Sequence, residues 1–543
     1  MSKTVIKGSP ISSGTAIGKV VYLNSANVVY RSIVPKPSKN RQKEFIRFKS
    51  ASLLAAKELR ELYDACVYKN ETAAGIFMAH QMLLKDKSLE DEIHSLIVDK
   101  GISANEAVTL VRNDMVSRLS TVEDVTFSER AADVSEVANR ILRILNGATE
   151  STYELNEPSI VVADEITASL IVSLNNRNLK GIITNRGSKL SHVAIIARSV
   201  GIPAITGINI DPSWNGLEAG IESDASSEVG VFTLNPDKKT IERIQSKLDE
   251  YRQRSKELAK LVNVVPEHKS GRSIPVCANI SSVSEVLIAE KNGADGIGLF
   301  RTEFIYLRSS DYPSEDMQFE IYKNIAVKMK GKEIVIRTMD VGGDKDVEYL
   351  HLPKEDNPAM GYRGIRVSLD RPEVFKTQIR AILRASEYGN LSVMYPMITS
   401  HREIIKAHEI VKEVKAELKA EKIPFKNIKE GAMIETPAAA LDSMNIAMYV
   451  DFFSIGTNDL MQYTYAVDRS NNDLYQLCEN SIDSIMKLIK MSIDSAHAYN
   501  IKVSVCGEMA ADSKYIDTLI QMGVDELSVA PLQILNTKGM VIR

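Results

Sequence analysis

Between residues 270 and 543 the sequence alternates eight times between a short apolar, β-branched run and a helix-forming stretch. The runs are PVCANI (275–280), DGIGLF (295–300), EIVIRTMD (333–340), LSVMYPM (391–397), EGAMIET (430–436), DFFSIGTND (451–459), KVSVCGE (502–508) and ELSVA (526–530). Eight strand–helix repeats over roughly 250 residues predict a (β/α)8 barrel, with a doubly wound open sheet as the rival. A barrel carries a further demand: reactive side chains belong where its strands end. Polar residues gather at those places. Arg301 and Glu303 follow the second run, and Arg337 and Asp340 end the third. Glu435 ends the fifth, Asn458 and Asp459 the sixth, Cys506 and Glu508 the seventh.

Upstream the texture differs. TVIKGSP, AIGKVVYL and NVVYRSIV, within residues 1–35, read as short strands. From Pro37 to Pro158 there is no intervening proline, and Ala, Leu, Glu and Lys abound, which favours helix. Ala55, Leu59, Leu62 and Cys66 share one helical face. Ser103 with Glu106 reads as a capping box after Gly101, and Ser88 with Asp91 as a weaker one. Beyond Pro158 strand-like runs return in SIVVAD, KGIITN, PAIT and VGVFTL. Residues 36–149 therefore read as a helical subdomain inserted in an α/β domain built from residues 1–35 and 150–237. A charged amphipathic helix fills most of a linker at 238–265, and the barrel occupies 266–543.

Composition removes several classes of function. Lys plus Arg number 67 and Asp plus Glu 71, a net charge of −4, so nothing draws the whole chain to nucleic acid or an anionic membrane. Cys66, Cys277, Cys478 and Cys506 are far apart, which argues against a zinc ribbon or a disulfide framework. The N-terminal MSKTVIKGSPISSG has no apolar core, and no run of 18 apolar residues occurs. The expectation is a reduced, cytoplasmic protein with no membrane insertion.

The strand-end residues suggest an anionic substrate. Arginine presents a planar fork that binds carboxylate or phosphate bidentately. A single arginine reads more simply as a surface ion pair, and it is the joint placement that points to a site. Glu435 and Asp459 are hard oxygen ligands suited to Mg²⁺. Lys345, in VGGDKD (341–346), sits among glycines as a phosphate contact. Cys506 reads either as a small core residue or as a protonated thiol that donates to carbon. In GSKLSHVAIIARSVGIPAITG (187–207), His192 stands where a Gly-containing loop gives way to an amphipathic helix. A phosphate carried there would face free helix N–H groups. Taken alone, a histidine at a helix start is more simply structural. Neither GxxxxGK[ST] nor GxGxxG occurs, so no nucleotide signature offers another source of phosphate.

From end to end the chain resembles enzyme I of the bacterial sugar phosphotransferase system, the phosphoenolpyruvate–protein phosphotransferases. The resemblance rests on GLFRTEF, RTMDVGGDK, NPAMGYRGIR, ETPAAA, DFFSIGTNDLMQYTYAVDR and VCGEMA in the barrel, and on MAHQMLLKD and ERAADV in the helical block. It implies a swivelling phosphohistidine domain, a helical subdomain that docks the phosphocarrier protein HPr, and a phosphoenolpyruvate-binding TIM barrel. The related dikinases and synthases carry a large ATP-binding region for which this length leaves no room.

Roles follow by position. The resemblance implies that His192 carries the phosphoryl group and that Arg301, Arg337 and Arg469 grip phosphoenolpyruvate, with Arg363 close by. Asn458 adds a hydrogen bond, Glu435 and Asp459 bind Mg²⁺, and Cys506 protonates the enolate to give pyruvate. It also implies a homodimer through the barrel and a swing of the histidine domain about residues 238–262. The sequence departs from the family in two places. The usual G-G-x-T-S-H reads Gly187, Ser188, Lys189, Leu190, Ser191, His192, and the usual D-L-T-P-S reads DEITAS (164–169), with Thr167 as the candidate hydroxyl partner of the histidine. These changes motivate an alternative, a catalytically weakened homologue with a regulatory or binding role; a barrel lyase is a third reading. Family members continue for a few dozen helical residues past the last barrel helix, whereas the sequence stops at Arg543, and dimer stability is where that difference is expected to show.

Overall fold

A computed structural model describes residues 3–23, 40–66, 71–84, 86–120, 125–147, 155–174, 177–187, 191–225, 227–307, 309, 311–342, 347–353, 355–468 and 482–542. The run NVVYRSIV, Lys345 and Arg469 lie outside the described residues. The chain divides into two units, Met1–Gln253 and Arg254–Arg543.

In the first unit the elements run β1 (Thr4–Ser12), β2 (Gly14–Leu23), α1 (Arg41–Cys66), α2 (Glu71–Leu84), α3 (Lys87–His94), α4 (Ala104–Ser120) and α5 (Val125–Leu145). They continue with β3 (Ser159–Ala163), α6 (Ala168–Leu174), β4 (Leu179–Thr184), α7 (His192–Val200), β5 (Ala204–Thr206), β6 (Glu218–Ser223) and β7 (Gly230–Leu234). Helix α8 (Lys238–Ala259) runs across the division between the units. The strands close into a barrel in the order β1-β5-β4-β3-β2-β6-β7. β2 pairs in parallel with β3, from Lys19 opposite Ser159 to Leu23 opposite Ala163. Helices α1 to α5 are therefore an excursion between two adjacent strands.

The alternation of side chains along β3 builds two cores from one strand. Ile160 and Val162 pack with Val20, Ile183, Ile205, Ile221 and Phe232 inside the barrel. Val161 and Ala163 face Leu59 of α1, Phe77 of α2 and Ala194 and Ala197 of α7. One turn earlier on α1, Ala55 belongs instead to the core of the helices, with Ile97, Val111 and Ile141. The predicted apolar face of α1 thus serves both. Ser103 caps α4 by accepting the Glu106 N–H at 3.3 Å, after Gly101 in the left-handed region. Ser88 is the second residue of α3, inside the helix rather than before it. Strand β6, EAGIES, has no β-branched run to announce it and forms by pairing with β2 and β7. Among the described residues no helix is long and apolar enough to cross a membrane.

The second unit alternates β8 (Val276–Ile280), α9 (Val283–Lys291), β9 (Ile297–Arg301), α10 (Glu303–Leu307), α11 (Glu315–Lys328), β10 (Glu333–Arg337), α12 (Ile365–Asp370) and α13 (Pro372–Ala385). Then follow β11 (Asn390–Tyr395), α14 (His401–Ala420), β12 (Lys429–Ile434), α15 (Pro437–Leu441), α16 (Ser443–Ala447), β13 (Phe452–Gly456), α17 (Thr457–Tyr465), β14 (Lys502–Cys506) and β15 (Glu526–Val529). Every neighbouring pair is parallel and the sheet closes, so the barrel and not the open sheet is the architecture. Leu299, Val335, Met394, Met433, Phe452 and Cys506, from six different strands, meet inside it. Six strands stop sooner than the sequence runs suggest, β10 and β13 by the most. β10 ends at Arg337, which leaves Asp340 in the following turn; β13 ends at Gly456, which places Asn458 and Asp459 in the first turn of α17.

Candidate active site

The C-terminal ends of the barrel strands surround a cavity of about 630 Å³. Arg301, Arg337, Arg363, Glu435, Asn458, Asp459 and Cys506 all line it. The described site residues predicted on the barrel are thus brought to one place.

Each arginine is held differently. Arg301, the last residue of β9, donates from Nη2 to Ser281 Oγ at 2.8 Å and lies over the Phe304 ring, 5.6 Å from its centre. Arg337, the last residue of β10, pairs through Nη2 with Glu303 Oε1 at 2.7 Å and Asp340 Oδ2 at 3.0 Å. Burial opposes its charge, but Glu303, Asp340 and Glu435 outweigh that and hold its pKa above the ordinary value. The Nε atoms of Arg301 and Arg337 are buried without a hydrogen-bond partner. Buried, unpaired donors on two cations beside a cavity suit an anionic ligand.

Arg363 is a brace. Its Nε and Nη2 meet the two oxygens of Asp340 at 2.9 and 3.0 Å, and its Nη1 meets Asp459 Oδ1 and Tyr463 Oη, both at 3.2 Å. Tyr463 in turn donates to the Ala359 carbonyl. Four of the five guanidinium N–H groups are thereby engaged by the protein.

Glu435 follows β12 and is 1 % exposed. Its Oε1 accepts the Met397 N–H at 2.6 Å, and Met397 holds a left-handed φ of 57° that aims this amide. A side chain on Gly456 would stand 2.9 Å from Glu435 Cβ, so glycine is what lets α17 begin so close. Burial, and then the charge of Asp459, raise the Glu435 carboxyl well above the ordinary carboxylate range. Two buried carboxylates that repel one another beside a cavity make a fitting donor set for a divalent cation. Among the described residues no cluster of three or more ligating His, Cys, Asp or Glu side chains occurs.

Cys506, the last residue of β14, is 2 % exposed. Its Sγ lies 3.4 Å from Ser454 Oγ and 3.5 Å from the Ile455 carbonyl oxygen. Burial pushes the thiol up to about 11, so it is a protonated acid at neutral pH. Thr457 Oγ1 donates to the Cys506 carbonyl at 3.2 Å, and Asn458 Oδ1 accepts the Glu508 N–H at 3.2 Å. Gly507, at φ 112°, makes room for both hydrogen-bonding side chains: a Cβ there would meet Thr457 Oγ1 at 2.4 Å.

In the first unit His192 is the first residue of α7. Ser191 caps that helix by accepting the Ala194 N–H at 3.4 Å. Gly187 lies against the Thr184–Thr206 hydroxyl pair, whose oxygens are 3.0 Å apart. Thr167 is exposed and accepts the Leu170 N–H at 3.2 Å, which makes it the cap of α6. Sequence reasoning missed Tyr463 and Met397. Tyr463 stands one helical turn after Asp459, a spacing that could have disclosed it. Met397 acts through its backbone and leaves no sequence signal.

Residues 7–130 match the family described as "PEP-utilising enzyme, N-terminal", residues 155–213 "PEP-utilising enzyme, mobile domain" and residues 255–543 "PEP-utilising enzyme, PEP-binding domain". Fold and site therefore define an enzyme that uses phosphoenolpyruvate. Relatives named phosphoenolpyruvate-protein phosphotransferase agree in detail. That of Haemophilus influenzae is 37% identical over 99% of this chain and 93% of its own, and that of Buchnera aphidicola from Acyrthosiphon pisum 38% over 99% and 94%. That of Bacillus subtilis is 35% identical over 99% and 94%. The chain belongs to the phosphoenolpyruvate-protein phosphotransferases, the enzyme I family, and is a transferase. These relatives lend no support to a purely regulatory role.

Proposed function

We propose that this chain moves the phosphoryl group of phosphoenolpyruvate to His192 and then to the histidine of HPr, releasing pyruvate, as the first step of sugar uptake by the phosphotransferase system. The observation that carries the reading is the barrel mouth. There, two cations with unpartnered donors, a carboxylate pair and a neutral thiol share one cavity.

In the transfer, His192 Nε2 attacks phosphorus and an N–P bond forms as the bond to the enol oxygen breaks. The enolate carbon takes the proton of Cys506, which is protonated at neutral pH and lies at the cavity wall. Arg301 and Arg337 hold the substrate phosphate and carboxylate with Arg469 and Lys345, and Asn458 adds a hydrogen bond. Glu435 and Asp459 would hold Mg²⁺, which would supply charge neutralisation for an anionic substrate. Arg363 orients Asp459 more than it touches substrate, since four of its five donors are already spent on the protein.

Residues 36–149 dock HPr, residues 1–35 and 150–237 carry His192, and residues 266–543 bind substrate. His192 must serve both donor and acceptor, so the 238–265 linker accommodates a change of domain orientation. A homodimer forms through the barrel. The exposure of Leu441, Met444, Met448 and Met491 on neighbouring helices supports an apolar contact there.

The test is incubation with labelled phosphoenolpyruvate, Mg²⁺ and HPr beside His192→Ala. Acid-labile label should appear on the parent protein and on HPr, and not on the variant. An unlabelled parent would refute the activity; a labelled variant would refute the carrier.

A further inference from the structure

Four of the pocket's charged side chains, Arg301, Glu303, Arg337 and Asp340, stand at or just beyond the ends of β9 and β10. The ladder between these strands stops at Arg337 opposite Arg301. Past that point the backbone needs another tie. It comes from α13, on the far side of the barrel wall. Gln378 Oε1 accepts the Met339 N–H at 2.9 Å, in the turn that carries Asp340. Gln378 Nε2 donates to Thr302 Oγ1 at 3.1 Å, and Thr302 Oγ1 donates to the Arg337 carbonyl at 2.8 Å. One amide therefore touches both turns.

Its orientation is fixed from behind. Gln378 Nε2 also donates to Tyr322 Oη at 3.2 Å, Tyr322 donates to Gln318 Oε1 at 3.0 Å, and Gln318 Nε2 donates to the Pro313 carbonyl at 3.0 Å. Thr302, Gln318, Tyr322 and Gln378 are each no more than 1 % exposed. The donors run in one direction only. The Met339 N–H demands an oxygen at Gln378, which turns the amide nitrogen to Thr302 and Tyr322 and leaves no flipped alternative. A buried polar chain satisfied in this way specifies one geometry. Here that geometry belongs to residues that face substrate, none of which touches Gln378 itself through its side chain. A core glutamine with no such duty could be replaced by an apolar residue at little functional cost.

We propose that Gln378, held by Tyr322, is a positioning residue for phosphoenolpyruvate: its side-chain amide sets the two turns that carry Arg301, Glu303, Arg337 and Asp340. This rests on the reading of the barrel mouth as the phosphoenolpyruvate site. The test measures phosphoenolpyruvate binding calorimetrically with Mg²⁺ present, on the full chain carrying His192→Ala to prevent turnover, alongside melting temperature. Gln378→Leu should weaken binding about tenfold and Tyr322→Phe about threefold, in proportion to the links lost. In the otherwise unaltered enzyme the same changes should raise KM more than they lower kcat.

Gln378→Glu gives a second readout and serves if Gln378→Leu does not fold. The ionised carboxylate cannot donate to Thr302, whereas the protonated acid can. Its affinity relative to the His192→Ala parent should recover by several-fold as pH falls from 8 to 6. Variants that melt earlier yet bind within twofold of the parent, with no pH-dependent recovery, would reduce the network to core packing and overturn the proposal. A His192→Ala parent that binds no phosphoenolpyruvate would remove the underlying reading, and the proposal with it.

Discussion

Cys506 shows how one side chain can be legible in place and ambiguous in role. Its position at the end of an apolar run marks a strand end, but the same run suits a buried core residue. The structure gives it both attributes, since it packs with Met394 and Phe452 and also borders the cavity. Cys506→Ala should cut pyruvate formation by about 10²-fold or more while phosphoenolpyruvate affinity stays within about twofold. Rapid-quench pyruvate assays beside calorimetry separate the two. With the thiol pushed up to about 11, iodoacetamide should label Cys506 far more slowly at pH 7.5 than an exposed thiol, as read by peptide mass analysis. Tyr463 offers the complementary case. Tyr463→Phe removes one hydrogen bond to Arg363 and the tie to Ala359, and should lower kcat/KM about tenfold through about 1.4 kcal/mol. Unchanged kinetics would show that Asp340 and Asp459 hold Arg363 without the tyrosine.

At the level of elements, the barrel strands were readable because each is a short β-branched run closed by polar residues. The ends were less so. Sequence cannot tell a strand's last residue from the first turn of the helix that follows, which is why Asn458 and Asp459 belong to α17. β6 was missed because its small and charged residues earn their strand from neighbours on both sides. The opposite end of the barrel carries its own chemistry. Glu526 on β15 accepts a hydrogen bond from the Cys277 thiol and stands near Glu333, which Ser392 and Lys429 hold at 3.1 Å. Burial raises the Glu526 carboxyl from its ordinary 4.5 to about 7, and Glu333 adds to the rise. A carboxyl whose folded pKa is raised favours the fold while protonated. That contribution is complete below pH 4.5 and is lost as pH climbs through 7. Glu526→Gln should therefore match the parent near pH 5 and exceed its stability by roughly 2 kcal/mol at pH 8, in denaturant melts. A constant offset across that range would place the effect in packing instead.

For the molecule as a whole, the order of strand-rich and helical segments was legible from texture, because a long proline-free stretch sits between strand-rich segments. What texture could not show is that α1 is shared, with Ala55 in one core and Leu59 in another. The proposed dimer is open to test at this scale. Met444→Glu with Met448→Glu should shift sedimentation toward the monomer if the exposed helical face of the barrel joins two copies, and should leave it unchanged otherwise.

The excursion of α1 to α5 between β2 and β3 also has a consequence in time. Lys19 faces Ser159 across a parallel ladder, a separation of 159 − 19 = 140 positions. Joining those strands from an open coil would cost loop-closure entropy before any contact rewarded it. If the helices fold first, they shorten that loop to the span of a compact body. The first barrel should then close late, with amides of α4 and α5 protected from exchange before those of β2 and β3 during refolding.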